Sequence, residues 1–514
     1  MKKNFYLTTA ISYVNGAPHL GHAYEAVASD ALARFKRLQG INTFFLTGTD
    51  EHGEKNARSA EAAGLAPEIF IEKNTQLFQQ MTEFLNISND FFIRTTSKKH
   101  HLSSQYLWNK LHDAGEIYLG SYGGWYSVRE ESYIAEEELI VKNNTRYSIS
   151  GDKVEWFEEP SYFFKLSKWS NALLDHYEKN PDFIQPVTRK NEVISFVKQG
   201  LKDLSISRKR LNWGIQVPND NNHVMYVWLD ALTNYLTGVG YPEVSNDSFK
   251  NFWPANIHII GKDIVRFHAV YWPAFLMAAN IELPRKIFCH GFLNIEGSKM
   301  SKSLGNVVSP FDLVEKYGLD QLRYFLLREV PFGQDGSFSH EQILKRINGD
   351  LANDFGNLAQ RVLSMIAKNC NSRIPEPKKF TDSDLELIKS SGLLYSKCEK
   401  SIDELAFHKY LAEIWNVIGI TNKYIDHEAP WKLRQTDTKK MSHVLYQAIE
   451  TIRKVTILLQ PFIPTSANFL LDQLSVPINE RSFKYLSNEH NLQPGIQLPE
   501  PKAVFPRQLI ENQE

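Results

Sequence analysis

Two short patterns in the sequence combine residue types suited to phosphate chemistry. The first is Pro18-His19-Leu20-Gly21-His22, at the predicted start of a helix. The unpaired N–H groups at a helix amino terminus favour phosphate, and two imidazoles could add hydrogen bonds as charge develops on phosphorus. Gly21 would let a nucleotide approach the backbone closely. Two helix-capping histidines would give the same pattern.

The second pattern is Lys299-Met300-Ser301-Lys302-Ser303, which lies between Gly297 and Gly305. Two ammonium groups and two hydroxyls on a glycine-bounded loop could fold over a polyphosphate and stabilise a departing pyrophosphate. A solvated basic loop would have the same composition. The presence of both patterns in one chain, in this order, favours the phosphate-binding interpretation of each.

The elements around the first pattern predict a parallel α/β sheet. Asn4 to Ile11 is a strand-like run, Leu20 to Gln39 has helical periodicity, and Asn42 to Thr47 is a second strand-like run followed by the polar cluster 48–53. Strand, helix and strand in succession indicate a right-handed crossover. Ligands of such sheets bind at the carboxyl ends of the strands, where the polar cluster lies.

Bulk properties fit a folded, multi-domain enzyme. The chain has 514 residues, too many for one core, with a net charge of −1. Any nucleic acid must therefore meet local basic patches. The three cysteines, Cys289, Cys370 and Cys398, exclude a disulfide scaffold and favour a reducing compartment. The apolar start is interrupted by polar residues and no run reaches membrane-spanning length, so a soluble, cytoplasmic protein without membrane contact is expected.

The two patterns together resemble the signature of the class I aminoacyl-tRNA synthetases. Three longer segments, Thr8 to His22, Val227 to Tyr235 and Ile260 to His268, are similar to methionyl-tRNA synthetases, and further matches recur from Phe5 to Trp431. The resemblance implies an α/β fold: a Rossmann-type parallel-sheet catalytic domain with an inserted connective domain, followed by an α-helical bundle that binds the anticodon.

Domain boundaries follow from this resemblance and from changes in sequence texture. Residues 1–112 and 223–295 are expected to form the two halves of the catalytic domain. Residues 113–222, with glycine, tyrosine and acidic clusters, are expected to form the inserted acceptor-stem domain. Residues 296–349 would hold the KMSKS loop and a stem contact, and residues 350–514 the helical anticodon-binding domain with a carboxyl-terminal tail.

The resemblance also implies roles for individual residues. The implied catalytic set is His19, His22, Lys299, Lys302 and Arg208. The implied methionine site comprises Ile11, Tyr13, Asp50, Trp228, Ala231, Leu232, Tyr235, Ile264 and His268, with Asp50 on the α-ammonium group. ATP would be held by His19, Gly21, His22, Gly261, Asp263, Lys299 and Lys302, with Mg²⁺ on the phosphates. The anticodon would be read by Asn357, Arg361 and Trp431. Taken alone, the aromatic residues would be assigned to an ordinary core.

The implied activity is that of a methionine–tRNA ligase, which forms methionyl-adenylate from L-methionine and ATP and charges tRNA(Met) with a CAU anticodon. Many relatives carry zinc-binding cysteines in the inserted domain. Here Ser127 and Glu130 stand at the place of one cysteine pair, and residues 113–222 contain no cysteine, so a zinc-free insertion is expected. No separate editing site is expected, and the chain ends soon after the helical region, which favours a monomer.

Two other functions compete with this interpretation. A small-molecule nucleotidyltransferase could share the HxGH helix, but it would not need the long helical region that contains Trp431. A non-catalytic RNA-binding relative would be expected to lose catalytic histidines or lysines, and all four are present.

Overall fold

The computed structural model describes residues 3–129, 132–134, 136–143, 145–209, 211–295, 298–299, 307–378 and 382–508, and among these it leaves out the side chains of residues 122, 132, 133, 137, 157–159, 298, 299 and 383. The chain forms two compact units. One comprises residues 4–26 and 43–290, and the other comprises residues 1–3, 27–42 and 291–514.

Strands and helices are numbered in chain order. The strands are β1 (Asn4–Thr9), β2 (Ser12–Tyr13), β3 (Asn42–Asp50), β4 (Phe91–Arg94), β5 (Ile117–Ser127), β6 (Ser132–Ile134), β7 (Ile140–Lys142), β8 (Thr145–Tyr147), β9 (Val154–Phe164), β10 (Ile184–Gln185), β11 (Leu204–Ser205), β12 (Ser207–Arg208), β13 (Gln216–Val217), β14 (Asp220–Met225), β15 (Ile257–Gly261), β16 (Ile287–His290), β17 (Leu293–Ile295), β18 (Ser298–Lys299) and β19 (Gly336–Phe338). The helices are α1 (Leu20–Leu38), α2 (Glu54–Ala62), α3 (Pro67–Phe84), α4 (Lys98–Asp113), α5 (Ser170–Lys179), α6 (Val187–Lys198), α7 (Val227–Thr237), α8 (Asp247–Phe252), α9 (Trp272–Ala278), α10 (Pro310–Tyr317), α11 (Leu319–Glu329), α12 (His340–Arg346), α13 (Asn357–Asn369), α14 (Asp382–Asp403), α15 (Phe407–Glu428), α16 (Pro430–Thr436), α17 (Thr438–Leu459) and α18 (Pro464–Gln473).

A seven-stranded sheet organises the unit of residues 4–26 and 43–290. Its order is β10-β16-β15-β1-β3-β2, with β4 also paired to β3. β15 pairs in parallel with β1 and β16, and β3 pairs in parallel with β2 and β4. The predicted α/β class with a parallel sheet is therefore confirmed. Buried aromatic and aliphatic side chains of the strands and of α4, α7 and α9 form the core on this sheet.

The third strand is longer than its apolar run predicted. β3 continues from Thr47 through Gly48 and Thr49 to Asp50, because Gly48 and Thr49 lie opposite Ile93 and Arg94 of β4. The two strands approach so closely that a Cβ at residue 48 would stand 2.1 Å from the carbonyl oxygen of Ile93. Glycine is therefore required at this position.

Antiparallel strands dominate the region that was predicted to be an insertion. β5 and β9 pair along eleven residues each, and β6 and β11 flank them in a four-stranded sheet. A second, three-stranded sheet has the order β12-β14-β13. This region has glycine, tyrosine and acidic clusters and only weak helical periodicity. The paired strands explain that weakness, because side chains alternate between the two faces of a strand.

Helices α10 to α18 dominate the other unit, and local signals start many of them. The side chains of Ser309, Ser339 and Asp437 accept hydrogen bonds from backbone N–H groups of α10, α12 and α17, and Pro430 and Pro464 occupy first-turn positions. The predicted, almost wholly helical texture to Leu474 is confirmed. In the part of the chain that the structure describes, no helix combines the length and hydropathy that a bilayer crossing requires.

A buried ion pair lies within this helical unit. Arg323 of α11 is fully buried and binds Asp30 at 2.6 Å, and its guanidinium also donates to the carbonyl oxygens of Pro461 and Phe462. These carbonyls follow α17, so one side chain joins three parts of the unit. Because the charges are paired and hydrogen-bonded, their burial is tolerated.

Candidate active site

The carboxyl ends of the parallel strands bring several of the predicted site residues to one edge of the sheet. Asp50 ends β3, Gly261 ends β15, and Tyr13 of β2 lies opposite Asp50 in the sheet register. α1 begins with Leu20, directly after His19. Parallel α/β sheets bind ligands at this edge, so the placement fits a substrate site.

The two histidines of the HxGH pattern are oriented by backbone groups of their own turn. The N–H of His19 donates to Nδ1 of His22, and the N–H of Gly21 donates to Nδ1 of His19, both at 3.1 Å. The two rings are stacked, with centroids 3.8 Å apart. A neutral ring whose Nδ1 accepts must carry its proton on Nε2. The histidines therefore do cap the helix, and the cap fixes Nε2–H as a donor suited to phosphate oxygen.

The hydroxyl of Tyr235 and the imidazole of His268 form one hydrogen-bonded pair in the predicted methionine pocket. The Tyr235 hydroxyl lies 2.7 Å from Nε2 of His268, and Nδ1 of His268 lies 3.1 Å from the carbonyl oxygen of Ile264. A carbonyl can only accept, so Nδ1 carries the proton and Nε2 accepts from the tyrosine. Burial lowers the pKa of His268 to about 4, which keeps the ring neutral near pH 7.

Aromatic rings stack on two residues of the predicted methionine pocket, Trp228 and Tyr235. Trp228 stacks on Phe267 with centroids 3.8 Å apart and planes 6° apart, and its indole meets His268 edge-on. Tyr235 stacks on His258 with centroids 4.1 Å apart. Trp228, Leu232 and Tyr235 recur at helical spacing on α7, so one helix face carries them. Such a cluster offers sulfur–aromatic contacts to a thioether side chain.

Asp50, at the end of β3, is only 3% exposed. The amide of Asn56 donates to the carbonyl oxygens of Asp50 and His52, both at 3.0 Å, which fixes the backbone after β3. Lys55 lies over the ring of Tyr13, with its Nζ 5.1 Å from the centroid. A buried carboxylate in this position can bind an ammonium group.

Gly261 and Asp263 lie beside two residues that the sequence analysis missed. A Cβ at residue 261 would stand 2.6 Å from Oδ1 of Asp263. His290, at the end of β16, lies opposite Gly261, and its Nε2 is 2.8 Å from Oε2 of Glu25. Burial raises the pKa of Glu25. The signal for Glu25 was available, because it follows His22 by three residues and so shares a helix face.

Arg208 and the backbone of Lys299 lie in two smaller, three-stranded sheets. Arg208 is 8% exposed in the three-stranded sheet, where its Nη1 donates to the carbonyl oxygen of Ser207 at 2.8 Å and its guanidinium lies over the ring of Tyr226. The backbone of Lys299 lies in β18, opposite Asn294, while Lys302 lies outside the described residues.

The three predicted anticodon residues lie near the junction of α15 and α16 or on α13. Asn357 is the first residue of α13 and is exposed, and Arg361 follows one turn later. The guanidinium of Arg361 lies 5.5 Å from the ring centroid of Trp431 and forms an ion pair with Asp426 at 2.9 Å. Trp431 is 40% exposed. An exposed indole beside a cation can stack on a nucleobase.

The two residues that stand at the place of a cysteine pair, Ser127 and Glu130, bear on the expected absence of zinc. Ser127 is buried at the end of β5, and Glu130 lies outside the described residues. Nearby, Arg129 pairs with Asp152 at 2.9 Å. Across the described ranges of the chain, no group of three histidine, cysteine, aspartate or glutamate side chains is placed to hold a metal ion.

Comparison with known proteins places these features in a family. Residues 5–143 and 138–363 match the family described as "tRNA synthetases class I (M)", and residues 374–514 match the "Anticodon binding domain of methionyl tRNA ligase". The methionine–tRNA ligase of Brucella suis biovar 1 (strain 1330) is 54% identical over 514 residues, which cover 100% of this chain and 99% of that one. The corresponding ligase of Mycobacterium tuberculosis (strain ATCC 25618 / H37Rv) is 53% identical and is covered over 98% of its length, as is 98% of this chain.

Solved structures give the same result. The crystal structure of Mycobacterium tuberculosis methionyl-tRNA synthetase bound by methionyl-adenylate matches with a TM-score of 0.96 and 53% identity, covering 98% of this chain and 100% of that one. The apo form of that synthetase matches with a TM-score of 0.90 and 50% identity, covering 99% of each chain. With the parallel sheet, the HxGH helix start and the helical carboxyl-terminal region, these matches lead to one conclusion. The chain belongs to the methionyl-tRNA synthetase family, within the class I aminoacyl-tRNA synthetases.

Proposed function

We propose that this protein is a methionine–tRNA ligase. It activates L-methionine with ATP to methionyl-adenylate and pyrophosphate, and then transfers the methionyl group to the 3′ end of tRNA(Met), both initiator and elongator. The observation that carries the proposal is the buried Asp50 at the carboxyl end of β3, in the same unit as the HxGH turn and the Tyr235–His268 pair. Family membership supports the same activity.

In the activation step, a carboxylate oxygen of methionine attacks the α-phosphorus of ATP in line. The bond between the α-phosphorus and its bridging oxygen breaks, and pyrophosphate leaves with that electron pair. The Nε2–H groups of His19 and His22 donate to phosphate oxygens as charge develops, and Lys299 and Lys302 neutralise the leaving group. We assign no nucleophilic side chain, because positioning and charge stabilisation suffice for this chemistry.

Mg²⁺ would neutralise charge on the polyphosphate. Mg²⁺ prefers oxygen ligands, and the phosphates of ATP would supply them. Gly261 and Asp263 would hold the ribose, and the close approach at Gly261 supports this role. Arg208 would act near the reaction centre.

Methionine is selected by the pocket on α7 and the adjacent π-helical turn Phe267–Tyr271. Asp50 binds the ammonium group. Ile11, Tyr13, Trp228, Ala231, Leu232, Tyr235, Ile264 and His268 enclose the side chain. A neutral His268 and stacked rings suit an uncharged, polarisable thioether. We assign no second, editing pocket.

In the transfer step, a hydroxyl of the tRNA 3′-terminal ribose attacks the adenylate carbonyl, and AMP leaves. Residues 113–222 would contact the acceptor stem, residues 296–349 would supply the KMSKS loop, and residues 350–514 would read the CAU anticodon through Asn357, Arg361 and Trp431. The pairing of Arg361 with the exposed Trp431 supports the last assignment. We propose a monomer that acts in the cytoplasm.

Methionine-dependent exchange of labelled pyrophosphate into ATP tests the activation step. Exchange is expected with methionine and only weakly with leucine or isoleucine, since apolar discrimination amounts to about 1–3 kcal/mol per methylene. A small-molecule nucleotidyltransferase or a bare RNA-binding protein would show no such dependence. Absence of exchange from folded protein that binds ATP would refute the proposal.

We also propose that residues 113–222 fold without zinc. Metal analysis of the purified protein after chelator treatment is expected to find well below one zinc ion per chain, with the exchange activity retained. Stoichiometric zinc that resists the chelator would contradict this, because only a closed set of soft or imidazole ligands holds zinc so tightly.

A further inference from the structure

The short segment after β3 is tied down at each of its residues. The carbonyl oxygens of Asp50 and His52 accept from Asn56, and the carbonyl oxygen of Glu51 accepts from the indole of Trp213 at 2.7 Å. The N–H of Glu51 donates to the hydroxyl of Thr95 at 2.9 Å. These bonds fix the backbone that carries Asp50, but none of them reaches α7, where the side-chain pocket lies.

Asp230 makes the connection to α7. Its Oδ2 lies 2.7 Å from Nδ1 of His52, and its Oδ1 lies 2.7 Å from Nε2 of His100. The carboxylate is 0% exposed. Although burial alone would raise the pKa of Asp230, the imidazoles of His52 and His100 hold it below its usual range. A carboxylate accepts only, so both facing ring nitrogens carry protons.

Asp230 projects from the α7 turn that also carries Trp228, Ala231 and Leu232. His52 stands two residues after Asp50. The two hydrogen bonds of this carboxylate thus fasten the residue proposed for the methionine ammonium group to the helix proposed for the methionine side chain. His100, on α4, completes the arrangement with its Nδ1 3.1 Å from the hydroxyl of Thr237.

We propose that Asp230 is a positioning residue for methionine activation, which holds Asp50 at a fixed distance from the pocket face of α7. The inference rests on the proposed function. A methionine molecule spans both halves of the site, so its ammonium group and thioether bind together only when the two halves keep this spacing. ATP contacts assigned to His19, His22, Gly261 and Asp263 do not depend on that spacing.

Asp230→Asn and Asp230→Ala test the inference in the pyrophosphate exchange assay. We expect the KM for methionine to rise about tenfold or more in Asp230→Ala and less in Asp230→Asn, with the KM for ATP within about twofold of the parent value. Asp384→Asn is the matched control. Asp384 is equally buried and bonds His443 at 2.9 Å, but it lies in the helical unit. Its replacement should lower the melting temperature without changing either KM.

A second pair of variants keeps the test decisive if Asp230 variants fold poorly. His52→Gln weakens the link to the Asp50 segment, and His100→Gln weakens only the link to α4. The first is expected to raise the methionine KM several-fold more than the second. Equal effects on both KM values, or equal effects of the two histidine variants, would overturn the positioning role. Lack of exchange in the parent protein would instead refute the proposed function, so the two failures are distinguishable.

Discussion

At the scale of single residues, the hydrogen bond between Tyr235 and His268 defines the chemistry of the pocket. Nδ1–H of His268 donates to the carbonyl oxygen of Ile264, so Nε2 is unprotonated and accepts from the tyrosine. Burial keeps the imidazole neutral near pH 7. The proposed methionine pocket would therefore present this pair without a net charge.

Removing the tyrosine hydroxyl is expected to weaken methionine binding. Tyr235→Phe leaves the buried Nε2 of His268 without its donor, which costs about 1–3 kcal/mol. The methionine KM in pyrophosphate exchange should therefore rise about tenfold, with the ATP KM little changed. Tyr410→Phe is the control, because the Tyr410 hydroxyl is also buried and donates to a carbonyl, that of Leu458 at 2.7 Å. An equal rise in that variant would show a general packing effect.

Protonation of His268 is expected to limit stability in acid. Its pKa is lowered by burial to about 4, whereas an unfolded histidine titrates near 6.5. Between these values only the unfolded state gains the proton, so the free energy of unfolding falls as pH falls through that window, by at most about 1.4 kcal/mol per pH unit. Above the window this group contributes no pH dependence. Thermal unfolding between about pH 5 and about pH 7 should show a smaller slope in His268→Gln. An unchanged slope would contradict the assignment.

At the scale of elements, the close contact of β3 with β4 sets where Asp50 lies. Gly48 permits β3 to continue beside Ile93, and the strand then delivers Asp50 to the ligand edge of the sheet. If β3 were displaced at Gly48, the Asp50 carboxylate would move with it, because both residues belong to the same strand. The position of Asp50, the residue proposed to bind the ammonium group, thus depends on a glycine two residues before it.

A Cβ at this contact is expected to be costly. Gly48→Ala places that atom 2.1 Å from a carbonyl oxygen, which only backbone movement can relieve, and about 1–3 kcal/mol of destabilisation is expected. The melting temperature should fall by several degrees, and the methionine KM should rise. Gly392→Ala, in α14 with no atom within 4 Å of the new Cβ, should instead be neutral or stabilising by up to about 1 kcal/mol. If both variants have the same melting temperature, the close contact of β3 with β4 does not require glycine at residue 48.

Periodicity and pattern predicted the elements better than their ends and their mutual contacts. α1 was predicted to within one residue, because its apolar spacing and Gly40 are local signals. β3 was predicted three residues too short, because Gly48-Thr49-Asp50 has the composition of a loop and is ordered by neighbouring strands. The bond between His52 and Asp230 joins residues 178 positions apart, so no local pattern reports it.

At the scale of the whole molecule, activation and anticodon reading are assigned to different parts of the chain. The residues proposed for methionine, and the histidine, glycine and aspartate residues proposed for ATP, belong to the unit of residues 4–26 and 43–290. Asn357, Arg361 and Trp431 belong to the unit that includes residues 291–514. Substitutions should therefore affect the two activities separately.

Trp431→Ala is expected to reduce tRNA charging while leaving pyrophosphate exchange intact. Loss of one stacked base costs about 1–3 kcal/mol, which predicts a fall of roughly ten- to a hundredfold in kcat/KM for tRNA. Lys302→Ala should do the reverse, with slower adenylate formation and nearly unchanged tRNA affinity. Phe469→Ala is the matched control for the tryptophan, because Phe469 is 39% exposed on α18. Equal loss of both activities in either test variant would contradict the division.

The stacked histidine pair at the start of α1 is oriented by hydrogen bonds within its own turn. Peptide groups of residues 19 and 21 aim both rings, so the geometry is encoded within four consecutive positions. The ring of His22 also meets that of Phe78 on α3 edge-on, with centroids 5.0 Å apart, so packing supports a geometry that local hydrogen bonds set. Because these hydrogen bonds are local, the HxGH pattern can be recognised in a sequence of 514 residues. Asp230 joins segments that are distant in the sequence, so no short pattern identifies it.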